Sequence, residues 1–387
     1  MVPAGGCDEP MMKSICFVVT TPFAVNAFLL THLKALADRY AVTLCVNRTL
    51  YPLSDRIDPR IRVIDLPITR DVSLCNDLHV LRLLMAQFRA ERYTAVHSIT
   101  PKAGFLAMLA ARLTGIRLRH HTFTGQVWAT KSGFPRLLLK MCDQFIVHTA
   151  TQVFSDSSSQ CQFLEKEGIV KPGGISVLGP GSIMGVDIEH FRPNSSIRHR
   201  IRAAWGISED MCVFLFVGRL ARDKGIFDLI QAFTTVAAEN QRVELWFIGP
   251  DEEHLSRLLK EEYRPGVAQM RWLGQTFYPE HYMASVDVLV LPSYREGFGS
   301  VVIEAAACGA TTVAYRITGV IDAVIEEQTG ILVDFGNVDA LAAAMLDLSN
   351  DPVKRRQLGH QAKDRVSATF TSKTVTDAWI QFYKSVL

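Results

Sequence analysis

The sequence predicts an α/β protein made of two doubly wound, Rossmann-like domains that face each other across a cleft. Three observations predict it. The chain has 387 residues, and at roughly 100–200 residues per domain two domains fit better than one or four. Short β-branched apolar runs alternate with helix-period stretches, the pattern of right-handed βαβ units around a parallel sheet. The alternation stalls once, over 179–193, where Gly179, Pro180, Gly181 and Gly185 punctuate a hinge.

Before the hinge, strands are expected over 14–20, 41–46, 62–66, 95–98, 117–122, 152–155 and 175–178, with helices over 24–39, 76–89 and 102–113. After it, strands are expected over 213–217, 243–248, 270–273, 286–291, 312–314 and 331–333. Helices fall over 223–240 and 338–348, near Ser300, and over the closing segments 352–368 and 371–386. The N-terminal domain is therefore set at 1–190, the second at 191–370, and a final helix at 371–387 is expected to pack back on the first domain. Residues 1–12 are expected to be disordered, with Met11 and Met12 as alternative starts.

Composition narrows the class. Hydrophobic residues are 48% and charged residues 21%, an ordinary soluble balance that excludes disorder or a fibre. The longest apolar stretches, such as 103–111, stop short of the ~18 residues a membrane span needs. The first ten residues lack the basic and apolar regions of a signal peptide. Eight cysteines without a CxxC pair argue against a zinc site or disulfide framework and point to the cytoplasm. A pI of about 8.1 lies below the ~9 of a dedicated nucleic-acid binder. Residues 1–190 carry 20 Lys and Arg against 15 Asp and Glu, whereas the remainder carries 21 against 24. The basic half fits an anionic phospholipid surface, or else a random scatter of charge.

Two motifs carry chemistry. The first, Gly218-Arg219-Leu220-Ala221-Arg222-Asp223-Lys224-Gly225, follows an expected strand and opens a helix. Glycines let the backbone approach a ligand, the helix start offers N–H donors, and Arg219 and Lys224 add two cations, which makes a diphosphate clamp. A turn with solvated charges is the alternative. The second, Glu296-Gly297-Phe298-Gly299-Ser300-Val301-Val302-Ile303-Glu304, sets two carboxylates at opposite ends of a Gly-rich turn and helix start. Such acceptors suit sugar hydroxyls, although a Glu at a helix start also simply complements the dipole.

Together these motifs resemble the retaining glycosyltransferases of family 4, which have the GT-B fold. The Gly-Arg-x4-Lys-Gly stretch matches 218–225, the Glu-x7-Glu motif matches Glu296 and Glu304, and Gly185-Val186-Asp187-x3-Phe191 is similar to the family's interdomain segment. The resemblance implies that Arg219 and Lys224 hold the diphosphate of a nucleotide sugar, UDP-linked by expectation. It places Glu296 beside the transferred sugar and Glu304 on the ribose, with Gly218, Gly297, Phe298, Gly299 and Val301 framing the donor. It also implies front-face displacement, with the departing phosphate accepting the acceptor's proton. No DxD motif occurs in the sequence, so no metal or other cofactor is expected.

The N-terminal domain departs from the family pattern. The stretch after the first strand, Thr20-Thr21-Pro22-Phe23-Ala24-Val25-Asn26, has no glycine. In His121-Thr122-Phe123-Thr124-Gly125-Gln126-Val127-Trp128, Thr124 stands where the family often has a histidine. This variant resembles bacterial enzymes that extend undecaprenyl-diphosphate-linked sugars, which assigns Thr124 and Gln126 to the acceptor side. Strand alternation points His120 and His121 in opposite directions, in structural roles. Basic and apolar residues mix over 105–121 and 131–141, and Arg112, Arg117, Lys131, Arg136 and Lys140 are expected to meet an anionic membrane surface. Core helices with basic outer faces are the other reading. The rival functions are a nucleotide-sugar 2-epimerase of the same fold, a glycosyltransferase acting on a soluble acceptor, and an inactive binding subunit.

Overall fold

The computed structural model describes residues 12–49, 51–69, 71–255 and 268–387. Except for Met12, the expected disordered start and the alternative start Met11 lie outside them. Seven strands make the first sheet: β1 (Ser14–Val19), β2 (Ala41–Val46), β3 (Arg62–Asp65), β4 (Ala95–Ile99), β5 (Leu118–Phe123), β6 (Gln152–Ser155) and β7 (Ser176–Val177). Six make the second: β8 (Cys212–Val217), β9 (Val243–Ile248), β10 (Met270–Gly274), β11 (Val288–Leu291), β12 (Thr311–Tyr315) and β13 (Gly330–Val333). Their orders are β3-β2-β1-β4-β5-β6-β7 and β10-β9-β8-β11-β12-β13. All the pairings are parallel. Each sheet therefore reverses its winding once, between β1 and β4 and between β8 and β11, and ligands of such sheets bind beyond the strand ends there.

The strands read as nearly unbroken apolar runs because helices cover both faces. In β1, Ile15, Phe17 and Val19 pack against α1 (Pro22–Phe28) and α2 (Leu30–Ala37), while Cys16 and Val18 face α3 (Leu74–Glu91) and α4 (Pro101–Leu113). In β8, Phe214 and Phe216 face α8 (Ile226–Glu239) and α12 (Val338–Asn350), while Val213 and Leu215 face α10 (Ser300–Ala307) and α13 (Pro352–Thr369). Burying each such side chain stabilises by about 1.5–3 kcal/mol. Among the described residues, no helix is long and apolar enough to cross a membrane, and all the cysteines are free thiols.

Two expected helices differ from the structure. The stretch 24–39 breaks at Leu29, which closes α1 and opens α2, and Asn26 ties α1 to the 52–54 loop through Pro52 O and Ser54 N. The helix expected from residue 223 starts at Ile226, because Gly225 turns left-handed at φ 67° after a 3₁₀ turn over Arg222–Lys224. A Cβ on Gly225 would stand 1.9 Å from Pro292 O, so only glycine fits. The structure also has α5 (Gly133–Thr149), which overlaps the basic and apolar stretch 131–141, and four helices beyond the expected ones, α6 (Ser158–Lys166), α7 (Ser195–Ala204), α9 (Pro279–Met283) and α11 (Val320–Ala323).

The chain crosses between the sheets twice, and the crossings lie side by side. Val186 N donates to Phe370 O, and Ser372 N donates to Val186 O, both at 2.7 Å. Beyond the second crossing, α14 (Ser372–Val386) lies on the first domain. There the Trp379 ring stacks between His97 at 5.0 Å and His32 at 4.9 Å. The His32 Nε2–H donates to Ile183 O (2.7 Å), so Nδ1 accepts from Thr376 Oγ1 (2.9 Å). His97 bridges Tyr383 OH and Thr122 Oγ1. Burial pushes His32 and His120 down to about 4 and His121 to about 3, so all three are neutral at neutral pH.

Candidate active site

Parallel strands all end on one edge, so the loops after β5, β6 and β7 meet the loops after β11 and β12. The meeting point is Gly297. A Cβ there would stand 2.3 Å from Asp156 Oδ2 and 2.7 Å from the Thr124 carbonyl carbon, both in the first domain. Ser157 Oγ donates to Gly297 O at 2.7 Å. Gly125 and Gly319 close on the same peptide: a Cβ on either would come within 2.9 Å of Gly297 backbone atoms. Beside this seam, Gly319 N donates to Ser159 Oγ, and Ser159 N donates to Asp322.

Glu296 adjoins the seam and brings the two sequence motifs together. Lys224 Nζ, on the turn after β8, lies 2.6 Å from Glu296 Oε1 across the gap between β8 and β11. Both side chains are mostly shielded, at 18% and 16% exposure, so the pair is screened less than a surface bridge. An ammonium has three donors, and this contact occupies one. Arg219 is braced by Glu252 Oε2 at 3.0 Å and by Asp223 Oδ2 at 3.5 Å. Gly218 belongs to the same backbone approach: a Cβ on Gly249 would lie 1.8 Å from Gly218 O.

The remaining residues expected at the donor divide. Gly299 caps α10 in the left-handed region at φ 84°, and Val301 stands in that helix's first turn. Phe298 turns away: its buried ring packs on Phe370 at 5.3 Å and fills the hinge, so its side chain is a packing group. Glu304 lies on α10, and burial together with the charge of Glu280 pushes its carboxyl up to about 8. Among the described residues, no three His, Cys, Asp or Glu side chains cluster to hold a metal ion.

On the facing wall, Thr124 abuts Gly297, and Gln126 is buried with neither amide atom hydrogen-bonded to a described residue. The loop carrying both is anchored by Trp128. Its Nε1–H donates to Asp143 Oδ2 at 2.6 Å, and its ring stacks on Phe163. Burial lifts Asp143 to about 7 even though it accepts that hydrogen bond. Arg136 and Lys140 lie over the same indole and both pair with Glu167, at 2.8 and 2.9 Å. Two of the five cations expected on a membrane surface are thus already neutralised within the domain. His120 and His121 point to opposite faces, His120 edge-on to Phe382 and His121 toward Ser98 and Gly104.

Sequence reasoning missed Asp156, Ser157 and Ser159. Burial pushes Asp156 up to about 8, with the Glu296 charge adding to it. The available signal was the Ser-Asp-Ser-Ser-Ser run directly after a strand, where functional loops of parallel sheets lie.

Comparison with known proteins gives these features a context. Residues 197–365 match the family of glycosyl transferases group 1, and residues 24–181 match a glycosyl transferase 4-like domain. The chain is 30% identical to the Staphylococcus aureus capsular polysaccharide biosynthesis glycosyltransferase CapM, over 83% of its own length and 84% of that protein. It is 27% identical to an Escherichia coli UDP-Gal:alpha-D-GlcNAc-diphosphoundecaprenol alpha-1,3-galactosyltransferase, over 78% of each. Sucrose-phosphate synthase from Thermosynechococcus elongatus superposes with a TM-score of 0.80 at 22% identity, covering 97% of this chain and 99% of that one. Anabaena HepE in complex with UDP does so with 0.77 at 19%, covering 97% and 100%.

Proposed function

The chain belongs to the glycosyltransferases with a group 1 transferase domain, and from that premise we propose that it moves a sugar, with retention, from a UDP-sugar to a polyprenyl-diphosphate-linked saccharide during surface polysaccharide assembly. The observation that carries this reading is the Lys224–Glu296 contact at the point where the second sheet reverses its winding. It sets a cation with donors to spare beside a carboxylate, facing the acceptor wall of the other domain.

In this mechanism Lys224 and Arg219 neutralise the diphosphate as its bond to the anomeric carbon breaks. A preorganised donor of this kind is worth about 2.7–4 kcal/mol. The acceptor hydroxyl attacks the same face and passes its proton to the leaving phosphate oxygen. Glu296 supports positive charge developing on the sugar, and Glu304 receives the ribose hydroxyls. The two cations supply the charge stabilisation, so activity is expected to persist in EDTA.

A lipid-borne acceptor is supported by where the exposed apolar residues stand. Helices in these domains run back from the cleft edge, so the N-terminal turns of α3 and α5 lie beside it. Leu74 and Leu78 on α3, and Phe134, Leu137, Leu138 and Met141 on α5, are all exposed there. Such a rim suits peripheral adsorption by apolar contact, with Lys131 as the nearby cation. The name of the E. coli relative, with its diphosphoundecaprenol acceptor, points the same way. The test is a panel of UDP- and GDP-sugars scored first by thermal shift, then by transfer to lipid-linked and free saccharides. An α-linked lipid product supports the reading, a β product excludes retention, and equal transfer to free sugars shifts it to a soluble acceptor.

A further inference from the structure

At the opposite edge of the first sheet lies a cavity of about 750 Å³. Its walls come from the end of α3, the turn into β4 and the turn between α4 and β5. Thr94 and Leu118 lie at the starts of β4 and β5, whereas the cleft loops leave their ends. Six residues of β5, at about 3.3 Å each, separate the two edges by about 20 Å. This cavity is no part of the cleft.

Three arginines line it, Arg89, Arg92 and Arg117, and no carboxylate does. None of the three guanidinium groups has an ion pair or hydrogen bond with a described residue. Some other arginines of this domain are engaged, Arg60 with Asp38 and Asp58, Arg62 with Glu91, and Arg48 with Asp65, whereas Arg39, Arg56, Arg82 and Arg112 have no such partner among the described residues but do not line the cavity. The nearest acid in sequence, Glu91, is thus turned to Arg62. Arg119 adds to the positive crowding while fixing the wall, since its guanidinium donates to the Ile116, Arg117 and Thr149 carbonyls. Burial and the charge of Arg112 both lower its pKa. Phe88 and Ile116 supply a buried apolar floor.

Like charges gathered around a concavity without a counter-charge raise its potential and attract anions. Guanidinium forks match phosphate oxygens bidentately. We propose that this basin binds a phosphate-bearing ligand, its oxygens held by Arg89, Arg92 and Arg117 and its apolar part resting on Phe88 and Ile116. The proposal does not depend on the reading of the cleft.

The test starts from full-length Lys224→Ala protein, so that the cleft's own cations contribute least, titrated with inorganic pyrophosphate by calorimetry. Binding is expected, and adding Arg92→Ala and Arg117→Ala should weaken it about tenfold or more, since two charge-assisted donors are lost. The arginines are exposed, so the melting temperature should not move. Arg92→Lys with Arg117→Lys should fall between, keeping charge and losing the fork. A second arm sediments the protein with phosphatidylglycerol vesicles. Vesicle binding lost with the arginines identifies a lipid headgroup as the source, and vesicle binding indifferent to them identifies a free phosphate compound. Absence of pyrophosphate binding, or an affinity unchanged by the arginine substitutions, overturns the proposal.

Discussion

The two walls of the cleft are built from opposite electrostatic materials. The second domain presents full charges held in opposed pairs, Lys224 with Glu296 and Arg219 with Glu252 and Asp223. The first presents neutral or protonated groups: Thr124, the amide of Gln126, which has no hydrogen-bond partner among the described residues, and Asp156, whose carboxyl is raised to about 8. A wall of paired charges suits a charged ligand that can exchange partners with it. A neutral wall avoids placing a bare anion against Glu296, and it suits hydroxyls. The proposed division of labour between donor and acceptor is consistent with this difference in charge.

The largest effect should come from breaking the charged wall. In the proposed mechanism Lys224→Ala removes a donor to the diphosphate, and it leaves Glu296 without its ion-pair partner. It should lower kcat/KM by about two to three orders of magnitude, measured in steady state on folded protein. Unchanged kinetics would detach the charged wall from the chemistry. Gly297→Ala comes next, because it attacks the seam itself: the added methyl meets the Thr124 backbone at 2.7 Å. Overpacking of this kind costs about 1–3 kcal/mol, which denaturant unfolding would register.

The neutral wall has a pH signature. The folded state holds the Asp156 proton up to about 8, whereas the unfolded chain releases it near the ordinary value of about 3.9. The folded state therefore binds more protons between those values, and stability falls as pH rises through that window. Asp156→Asn should lessen that fall in melting temperature. The buried histidines act in the opposite sense on the acid side. With folded values of about 4 for His32 and His120, and about 6.5 unfolded, stability should drop as pH falls from 6.5 toward 4. The smallest effect belongs to Glu304→Gln. Its carboxyl is raised to about 8, so at neutral pH the change replaces one neutral group by another. It should weaken donor binding by about 0.5–1.5 kcal/mol while leaving kcat nearly unchanged.

Much of this architecture is legible in the sequence because strands buried on both faces leave unmistakable runs, such as 212–217 and 243–248. Two kinds of feature were not legible. Ser158–Lys166 opens on serines that favour turns as readily as a helix start, and of Gly133–Thr149 only the mixed basic and apolar stretch 131–141 stands out. Their helical state is decided by what they pack on. Pairings across long separations are equally hidden. Lys224 and Glu296 stand out as motif members, but their contact depends on β8 and β11 being neighbours. The capture of Arg136 and Lys140 by Glu167 likewise depends on α5 lying beside the end of α6.

The most direct measurement incubates the protein with a UDP-sugar and an undecaprenyl-diphosphate-linked saccharide, then follows nucleotide and lipid products together by mass spectrometry. Glycosylated lipid should accumulate in step with free UDP, and both should fall together in the Lys224→Ala protein. Release of UDP without a glycosylated lipid, or an epimerised nucleotide sugar in place of both, would contradict the account.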